Sequence, residues 1–228
     1  MITFHIISLF PEIFKSIFSA SIIKRAQDKK LIRIKFHNPR DFAKDKHKTA
    51  DDKPYGGGPG MVIKVDVIVR AVLNVLNEIN KKTNRTDTTI RTSRTKIILL
   101  SARGKQFNQK MARDWAKKYK NIVLICGHYE GIDERVKKIL RAEEISIGPY
   151  ILSGGEIAAM ATVDAISRHI PGVLGKIESL EEKKGSYPVY TRPETFIFKG
   201  KKYAVPKVLL SGNHKKISEW RIKHGKMK

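Results

Sequence analysis

A chain of 228 residues is long enough for a full hydrophobic core, and one large domain with a small one is the natural division. Its composition is globular, with 41% hydrophobic and 30% charged residues, but 46 Lys and Arg against 22 Asp and Glu give a net charge of +24. That excess indicates a polyanionic partner; a generally basic proteome or a solubility effect is the alternative.

The sequence also excludes several classes of protein. No apolar run approaches the ~18 residues that a membrane span needs, and no lysine-rich amphipathic segment favours a membrane surface. The N-terminus predicts a first strand rather than a signal peptide, because a basic lead and a small-residue cleavage site are missing. The single cysteine, Cys126, excludes a disulfide framework and a cysteine-based zinc site. We therefore expect a cytoplasmic protein with no membrane partner.

Apolar patterning over the first part of the chain predicts two strands and a helix. Ile2–Leu9 is typical of a buried strand, and Leu31–Phe36 alternates between apolar and polar residues. Between them, large apolar residues recur at intervals of three and four, which predicts one helix with a core-facing stripe. That stripe consists of Ile13, Phe14, Ile17, Phe18 and Ile22.

A glycine-rich loop, Pro54–Met61, holds four glycines in eight residues. Such a loop can adopt positive φ and bring its backbone close to a ligand, although a purely structural turn is the alternative. It is not a nucleotide P-loop, because no Gly-Lys-Ser/Thr follows, and the chain lacks the G-x-G-x-x-G of dinucleotide-binding folds.

The middle of the chain alternates helices and strands. Val65–Ile79 predicts an amphipathic helix, and Thr83–Thr95 predicts an exposed, flexible connection. The elements predicted next are a strand at Lys96–Ser101 that ends in the glycine-bearing loop Ser101–Gly104, a helix at Gln106–Lys118 and a strand at Ile122–Cys126.

Residues 121–168 carry most of the functional information. The apolar runs Ile122–Cys126 and Ile145–Ile147 each break into a glycine-containing turn, and each turn opens a helical pattern. Because α/β sheets bind ligands in loops at the carboxyl ends of their strands, these turns predict a ligand site. The polar side chains interleaved with the glycines are Tyr129, Glu130 and Tyr150.

The second of these turns opens a helix, Ile157–His169, that is apolar almost all round. A helix of that kind lies either deep in the domain or in a subunit interface. Its start at Gly154-Gly155-Glu156 favours a bound carboxylate or phosphate. Asp164 and Arg168 are four apart, so Arg168 either forms an ion pair or is a cation that binds phosphate or stabilises developing negative charge. No metal is predicted.

The last part of the chain changes in composition. Lys176–Tyr187 is polar and predicts a linker, and Lys199–Lys228 holds ten Lys or Arg with one acid. Ser211–His214 can cap a helix at Lys215–Lys223, with Trp220 as its large apolar anchor. A basic helix with one aromatic suits contact with an RNA backbone, and a solvated surface helix is the alternative.

Eight motifs, in order along nearly the whole chain, resemble the TrmD family, the bacterial tRNA (guanine-N1)-methyltransferases of the SPOUT superfamily. They are Phe4–Glu12, Asn38–Phe42, Asp51–Met61, Gly127–Arg135, Ile147–Glu156, Ser167–Gly175, Tyr190–Glu194 and Leu210–His214.

The resemblance implies an α/β fold with a SPOUT-type parallel sheet and a deep trefoil knot, plus a small, shortened C-terminal helical domain. Residues 1–174 would form the cofactor-binding domain, 175–188 a linker and 189–228 a basic tRNA-binding domain. The activity it implies is methyl transfer from S-adenosylmethionine to N1 of the guanosine 3′-adjacent to the anticodon. It also implies a homodimer whose sites are shared between subunits.

The resemblance also assigns roles to residues. Arg168 matches the catalytic arginine. The residues that would bind the cofactor are Leu100, Ser101, Gly127, Tyr129, Glu130, Ile147, Gly148, Pro149, Tyr150, Ile151, Leu152, Gly154 and Gly155. Those that would bind the tRNA are Asp51, Tyr55, Gly57, Gly58, Arg192, Asn213 and His214.

One departure from the family concerns the general base. Lys183 stands where the family has its presumed catalytic aspartate, and a lysine is a poor base by default. We expect Glu182 to supply the carboxylate, with Glu181 second. Dependence on Mg²⁺ stays open, because one proposed carboxylate is missing. The alternatives are a non-catalytic or weakly active tRNA-binding protein of this fold, or a SPOUT methyltransferase with another RNA target.

Overall fold

The computed structural model describes residues 1–82, 94–175 and 186–225, with only the backbone described for Lys82. The expected connection at Thr83–Thr95 therefore lies almost wholly outside the described residues. The chain divides into two compact units, Met1–Leu174 and Gly175–Lys228. Each unit is described by itself below.

The first unit is built around a five-stranded parallel sheet, so the predicted α/β fold is confirmed. The sheet strands are β1 (Ile2–Ile7), β2 (Ile32–His37), β5 (Thr95–Gln106), β6 (Asn121–Cys126) and β7 (Glu143–Ser146), in the order β2-β1-β6-β5-β7. A small antiparallel pair consists of β3 (Asp51–Asp52) and β4 (Val62–Ile63). The helices are α1 (Lys15–Phe18), α2 (Ser21–Asp28), α3 (Val65–Lys82), α4 (Gln109–Lys118), α5 (Arg135–Leu140) and α6 (Glu156–Ser167).

Both faces of this sheet are covered, which explains why the central strand β6 is apolar from Ile122 to Cys126. Along β6, Ile122 and Leu124 join a core cluster with α2, α4 and α6. Val123 and Ile125 point to the other face and join a second cluster with α3 and α5. The period of two along the strand thus distributes its side chains between two cores.

The single helix predicted around Ile13–Ile22 is wrong. The chain forms a 3-10 turn over Pro11–Phe14, then α1, and it breaks before α2 at Ser21, whose φ is +48°. The Phe14 and Phe18 rings, which precede the break, stack 5.6 Å apart and are buried in the core. Ile13 and Ile17 from the predicted stripe are exposed instead.

The strand predicted at Lys96–Ser101 is also longer in the structure, and the helix after it begins later. Residue Ile145 of β7 pairs with both Leu100 and Lys105 of β5, so residues 101–104 leave the ladder as a bulge and the strand then resumes. Helix α4 starts at Gln109 because the Asn108 side chain accepts a hydrogen bond from the Met111 N–H at 3.0 Å.

The second unit contains a hairpin and two helices. The hairpin strands are β8 (Thr195–Phe198) and β9 (Lys201–Ala204), and the helices are α7 (Lys207–Leu210) and α8 (His214–His224). The predicted cap of α8 is confirmed, since Asn213 accepts a hydrogen bond from the Lys216 N–H at 3.1 Å. Trp220 stacks on His224 and meets Tyr190 edge-on.

Candidate functional site

The bulge within β5 and the loops that follow β6 and β7 line a cavity of about 470 Å³ at the carboxyl edge of the sheet. All the expected cofactor-binding residues except Gly148 and Pro149 line it. The lining that the sequence did not single out includes Ala102, Arg103, His128, Glu134, Glu144, Ser146 and Ala158. The turns that the sequence predicted separately therefore converge on one cavity.

The loop after β7 passes directly against the end of β6. The Gly155 N–H donates a hydrogen bond to the Gly127 carbonyl at 2.7 Å, and His128 pairs with Gly154 in an antiparallel bridge. A Cβ atom on Gly155 would lie 2.7 Å from the Cys126 Cα, closer than real contacts allow. A glycine is required here because two backbones meet.

The bulge in β5 depends on a second close approach. A Cβ atom on Gly104 would lie 2.5 Å from the Glu144 carbonyl carbon, so the returning strand passes β7 without room for a side chain. The displaced residues Ser101, Ala102 and Arg103 consequently line the cavity.

A buried polar cluster lies beside the cavity. Glu156, the first residue of α6, is only 4% exposed, and its carboxylate accepts a hydrogen bond from the Ser8 Oγ at 2.7 Å. The His128 Nδ1 lies 3.7 Å from the other carboxylate oxygen. The His128 ring also packs on Phe10 with centroids 4.7 Å apart. The cluster joins the end of β1, the loop after β6 and the start of α6, and no sequence pattern predicted that Ser8 belongs to it.

Acidic side chains predominate among the charged groups at the cavity. Burial alone would raise the pKa of Glu144, but hydrogen bonds from Lys137 and Ser101 outweigh it and hold that pKa below its ordinary value. Glu134 forms an ion pair with Arg103 at 3.5 Å. Burial raises the pKa of the Cys126 thiol, so this cysteine is not a nucleophile at neutral pH. Carboxylates in this arrangement favour a ligand that carries positive charge.

The glycine-rich loop is connected to the same cavity. Gly56, Gly57, Gly58 and Gly60 all have positive φ, and the side chain of Tyr55 is fully exposed. The loop after β6 meets this segment twice: the Glu130 N–H donates to the Met61 carbonyl and the Ile63 N–H donates to the Gly131 carbonyl, both at 3.0 Å. The Glu130 side chain lies against Gly60. A group bound at Tyr129–Gly131 would therefore lie next to the exposed loop.

Nearby, Asp51 belongs to β3 and forms an ion pair with Arg40 at 3.7 Å. Asp51 is partly buried. That ion pair gives Asp51 a structural role in addition to its expected contact with substrate.

Helix α6 is not buried on every side. Ala158, Thr162 and Ile166 face the core, whereas Ile157 is 56% exposed and Ala161 is exposed too. In a single chain this leaves an apolar stripe uncovered. The sequence predicted that α6 lies either deep in the domain or in a subunit interface. Deep burial is wrong for the face that carries Ile157 and Ala161.

Arg168 follows the last turn of α6 and does not line the cavity. Because a helix rises 1.5 Å per residue, roughly 20 Å separate it along α6 from Gly155. Within the described ranges, its side chain makes no ion pair with Asp164, although the Arg168 N–H donates to the Asp164 carbonyl at 3.2 Å. The alternative that Arg168 forms an ion pair with Asp164 is thus not supported.

The remaining expected site residues belong to the second unit or lie outside the described residues. Arg192, Asn213 and His214 belong to the second unit, where Asn213 is the α8 cap. The segment Glu181–Lys183 lies outside the described residues. No group of three metal-binding side chains occurs in the part of the chain that the structure describes. None of the described helices has the length and apolar character to cross a bilayer.

Comparison with known proteins gives a family match over nearly the whole chain. The family model described as "tRNA (Guanine-1)-methyltransferase TrmD" matches residues 2–228. The chain belongs to this family. It is 50% identical to the tRNA (guanine-N(1)-)-methyltransferase of Carboxydothermus hydrogenoformans, over 96% of this chain and 80% of the relative.

Two further relatives carry the same description. The protein of Dehalococcoides mccartyi is 49% identical over 96% of this chain and 83% of its own length. That of Clostridioides difficile is 47% identical over 96% of this chain and 90% of its own length. The resemblance predicted from the motifs is confirmed.

Proposed function

We propose that this protein is a tRNA methyltransferase that moves a methyl group from S-adenosylmethionine to N1 of the guanosine 3′-adjacent to the anticodon. The observation that carries this proposal is the convergence of the β5 bulge and the loops after β6 and β7 on one cavity, in a chain whose relatives are tRNA (guanine-N(1)-)-methyltransferases. Family membership does not favour the non-catalytic alternative.

The cavity suits the methyl donor in three respects. About 470 Å³ falls within the roughly 300–1,000 Å³ of small-molecule sites. The glycines at 154 and 155 present backbone where any side chain would collide. The acidic groups suit the cationic sulfonium and ammonium groups, while Leu100, Ile147 and Leu152 offer apolar surface for the adenine. When bound, S-adenosylmethionine supplies an electrophilic methyl group; the loops hold its position, and positioning is most of the catalysis.

The protein must also remove the proton that guanine carries on N1 at neutral pH. We assign this step to the Glu182 carboxylate, with Glu181 second, because Lys183 is a poor base. Arg168 would stabilise the negative charge that then develops on the guanine. The exposed loop Tyr55–Met61 would close over the guanosine, next to Glu130.

A homodimer with shared sites would reconcile Arg168 with the cavity. The uncovered stripe of α6, with Ile157 and Ala161, supports burial against a second copy. If two α6 helices pack antiparallel about a two-fold axis, the C-terminal end of one approaches the N-terminal end of the other. Arg168 of one chain would then serve the cavity of its partner.

The chain path supports the trefoil knot that the resemblance implies. Strand β7 lies at the sheet edge beyond β5, yet the loop after it returns across the end of β6 to start α6. Glycines at 104 and 155 make both backbone crossings sterically feasible. Such a threaded loop is one of the rare exceptions to unknotted topology.

We further propose that the second unit contributes to tRNA binding through its basic residues, with Arg192, Asn213 and His214 among the contacts. The cytoplasm is the proposed compartment, because the substrate is tRNA. We assign no Mg²⁺ site: no group of three metal-binding side chains is found among the described residues, and Glu181–Lys183 lies outside them.

The experiment that tests the proposed function uses labelled S-adenosylmethionine and tRNA transcripts that carry G or A after the anticodon. We expect label on the G transcript alone. Binding of both transcripts without transfer would support the non-catalytic alternative, and label at another nucleotide would support a different RNA target.

A further inference from the structure

The hairpin of the second unit exposes all eight of its strand residues. Phe198 pairs with Lys201, so Lys199 and Gly200 form a two-residue turn, with φ values of +49° and +74°. Positive φ at both positions is the type I′ turn that matches the twist of a hairpin. The hairpin is therefore locally well formed, and its exposed apolar side chains need an explanation.

The pairing register separates these side chains into two different faces. Phe196 lies opposite Tyr203, and Phe198 lies opposite Lys201, so these four residues share one face, which we name the aromatic face. The Phe196 and Phe198 rings are nearly parallel, with centroids 6.5 Å apart. The three rings are between 51% and 58% exposed. The opposite face carries Thr195, Ile197, Lys202 and Ala204.

Ammonium groups lie beside the rings of the aromatic face. The Lys199 Nζ is 5.6 Å from the Phe198 ring centroid, and the Lys201 Nζ is 5.5 Å from that of Tyr203. The segment Thr195–Ala204 contains three lysines and no acidic residue. Flat apolar rings beside cations match the two parts of an unpaired nucleotide, whose base stacks and whose phosphate is anionic.

A protein partner fits this surface less well. Lysine is depleted in the cores of protein interfaces, because burying an ammonium group without an acidic partner is costly. Covering the aromatic face with an apolar surface would desolvate Lys199 and Lys201 together. The charge complementarity favours RNA.

We propose that the aromatic face is a stacking platform for unpaired bases of single-stranded RNA, such as the loop nucleotides of the tRNA substrate. This inference rests on the proposed function and adds to it how the second unit recognises its partner. Phe196, Phe198 and Tyr203 would each stack on a base, while Lys199 and Lys201 would contact the phosphates between them.

The test measures binding of the full chain to a single-stranded ribo-oligonucleotide that carries 2-aminopurine, whose fluorescence is quenched by stacking. We expect Phe198→Ala and Phe196→Ala each to weaken binding about tenfold and to remove part of the quenching. The matched control is Ile197→Ala, because Ile197 is an equally exposed apolar residue on the opposite face. We expect this control to leave binding and quenching unchanged. Phe198→Trp should restore binding and quenching.

The proposal would be overturned if Ile197→Ala and Phe198→Ala had the same effect on binding and quenching. It would also be overturned if Phe198→Ala changed the sedimentation of the protein, because the face would then be a protein interface. Methyl transfer to tRNA by the wild-type chain is measured in the same preparations. Absence of that transfer would contradict the proposed function and leave the stacking result standing. Normal transfer with unchanged oligonucleotide binding in both phenylalanine variants would contradict the platform alone.

Discussion

At the residue scale, the buried carboxylate of Glu156 holds three segments together. It accepts a hydrogen bond from Ser8 and lies 3.7 Å from the His128 Nδ1. We expect Glu156→Ala to lower the free energy of unfolding by about 1–3 kcal/mol, because it removes the buried acceptor of the Ser8 Oγ hydrogen bond. The measurement is a urea titration.

Glu134 provides the matched control. Its ion pair with Arg103 is exposed on both sides, so Glu134→Ala should change the free energy of unfolding by less than about 1 kcal/mol. If both variants lost the same stability, the Glu156 cluster would not have the structural role assigned to it.

The general base gives a second prediction. Glu182→Ala should slow single-turnover methyl transfer by about 10²–10⁴-fold, since a positioned base contributes that much. Glu181→Ala should have a smaller effect, and Lys183→Ala should leave a measurable rate. Normal rates in both glutamate variants would refute the assignment and direct attention to a carboxylate elsewhere.

At the element scale, the uncovered stripe of α6 and the distance of Arg168 from the cavity predict shared sites. We consider two variants with one defect each: Arg168→Ala, and Ala102→Trp, which places a large ring at the exposed mouth of the cavity. Each alone should be inactive. When the two are refolded together in equal amounts, half of the dimers are mixed and each mixed dimer has one intact site, so activity should return to about a quarter of the wild-type value.

Two controls accompany this complementation. Each variant refolded alone should stay inactive, and wild type refolded with Ala102→Trp should keep about half of its activity. A mixture of the two variants that remained inactive, although sedimentation showed mixed dimers, would mean that each cavity uses the Arg168 of its own chain.

Some of the turns and strand irregularities could be predicted from the sequence, and others could not. The turns at Gly127–Gly131 and Ile147–Gly155 were predictable as neighbours, because parallel strands present their carboxyl ends at one edge of the sheet. The bulge at 101–104 was not, because it arises from double pairing of Ile145, and pairing register is a tertiary property. The break in the first predicted helix was not predictable either, because the spacing of Phe14 and Phe18 fits an uninterrupted helix and does not reveal the positive φ at Ser21.

For Asn108 the outcome is different, since a helix cap can be read locally. Asn108 lies directly ahead of an amphipathic run and caps α4, which begins at Gln109; the prediction of a helix from Gln106 overlooked this N-cap signal. Ser8, by contrast, could be joined to Glu156 only through the fold, because 148 residues separate them along the chain.

At the scale of the whole molecule, burial of His5 makes stability depend on pH. Burial, with the neighbouring charges of His37 and Lys35, lowers the pKa of His5 to about 4 from an ordinary 6.5. The unfolded chain therefore takes up the proton first as pH falls. The contribution of neutral His5 to the free energy of unfolding is fully present above pH 6.5. As the pH falls towards 4, that contribution is lost, which lowers the free energy of unfolding by roughly 2–4 kcal/mol.

We expect His5→Gln to reduce the fall in urea midpoint between pH 7 and pH 4.5, relative to wild type. His47→Gln is the control, because His47 is exposed on a loop and its replacement should leave the pH profile unchanged. An identical profile for wild type and His5→Gln would show that the buried histidine does not govern the acid sensitivity.

The charge of the whole molecule was visible from composition alone, and a net +24 is consistent with the tRNA substrates that the relatives' names specify. Composition could not reveal where a small molecule binds, because the cavity exists only once β5, β6 and β7 lie side by side. The enzymatic account depends on that cavity.

The most direct test of the enzymatic account is an isothermal titration of S-adenosylmethionine into the full chain and into its Ala102→Trp variant. Circular dichroism shows that both proteins are folded. The account predicts saturable binding of about one molecule per chain for wild type and a loss of at least tenfold in affinity for the variant. Absence of binding by the wild-type chain, or equal binding by the folded variant, would contradict it.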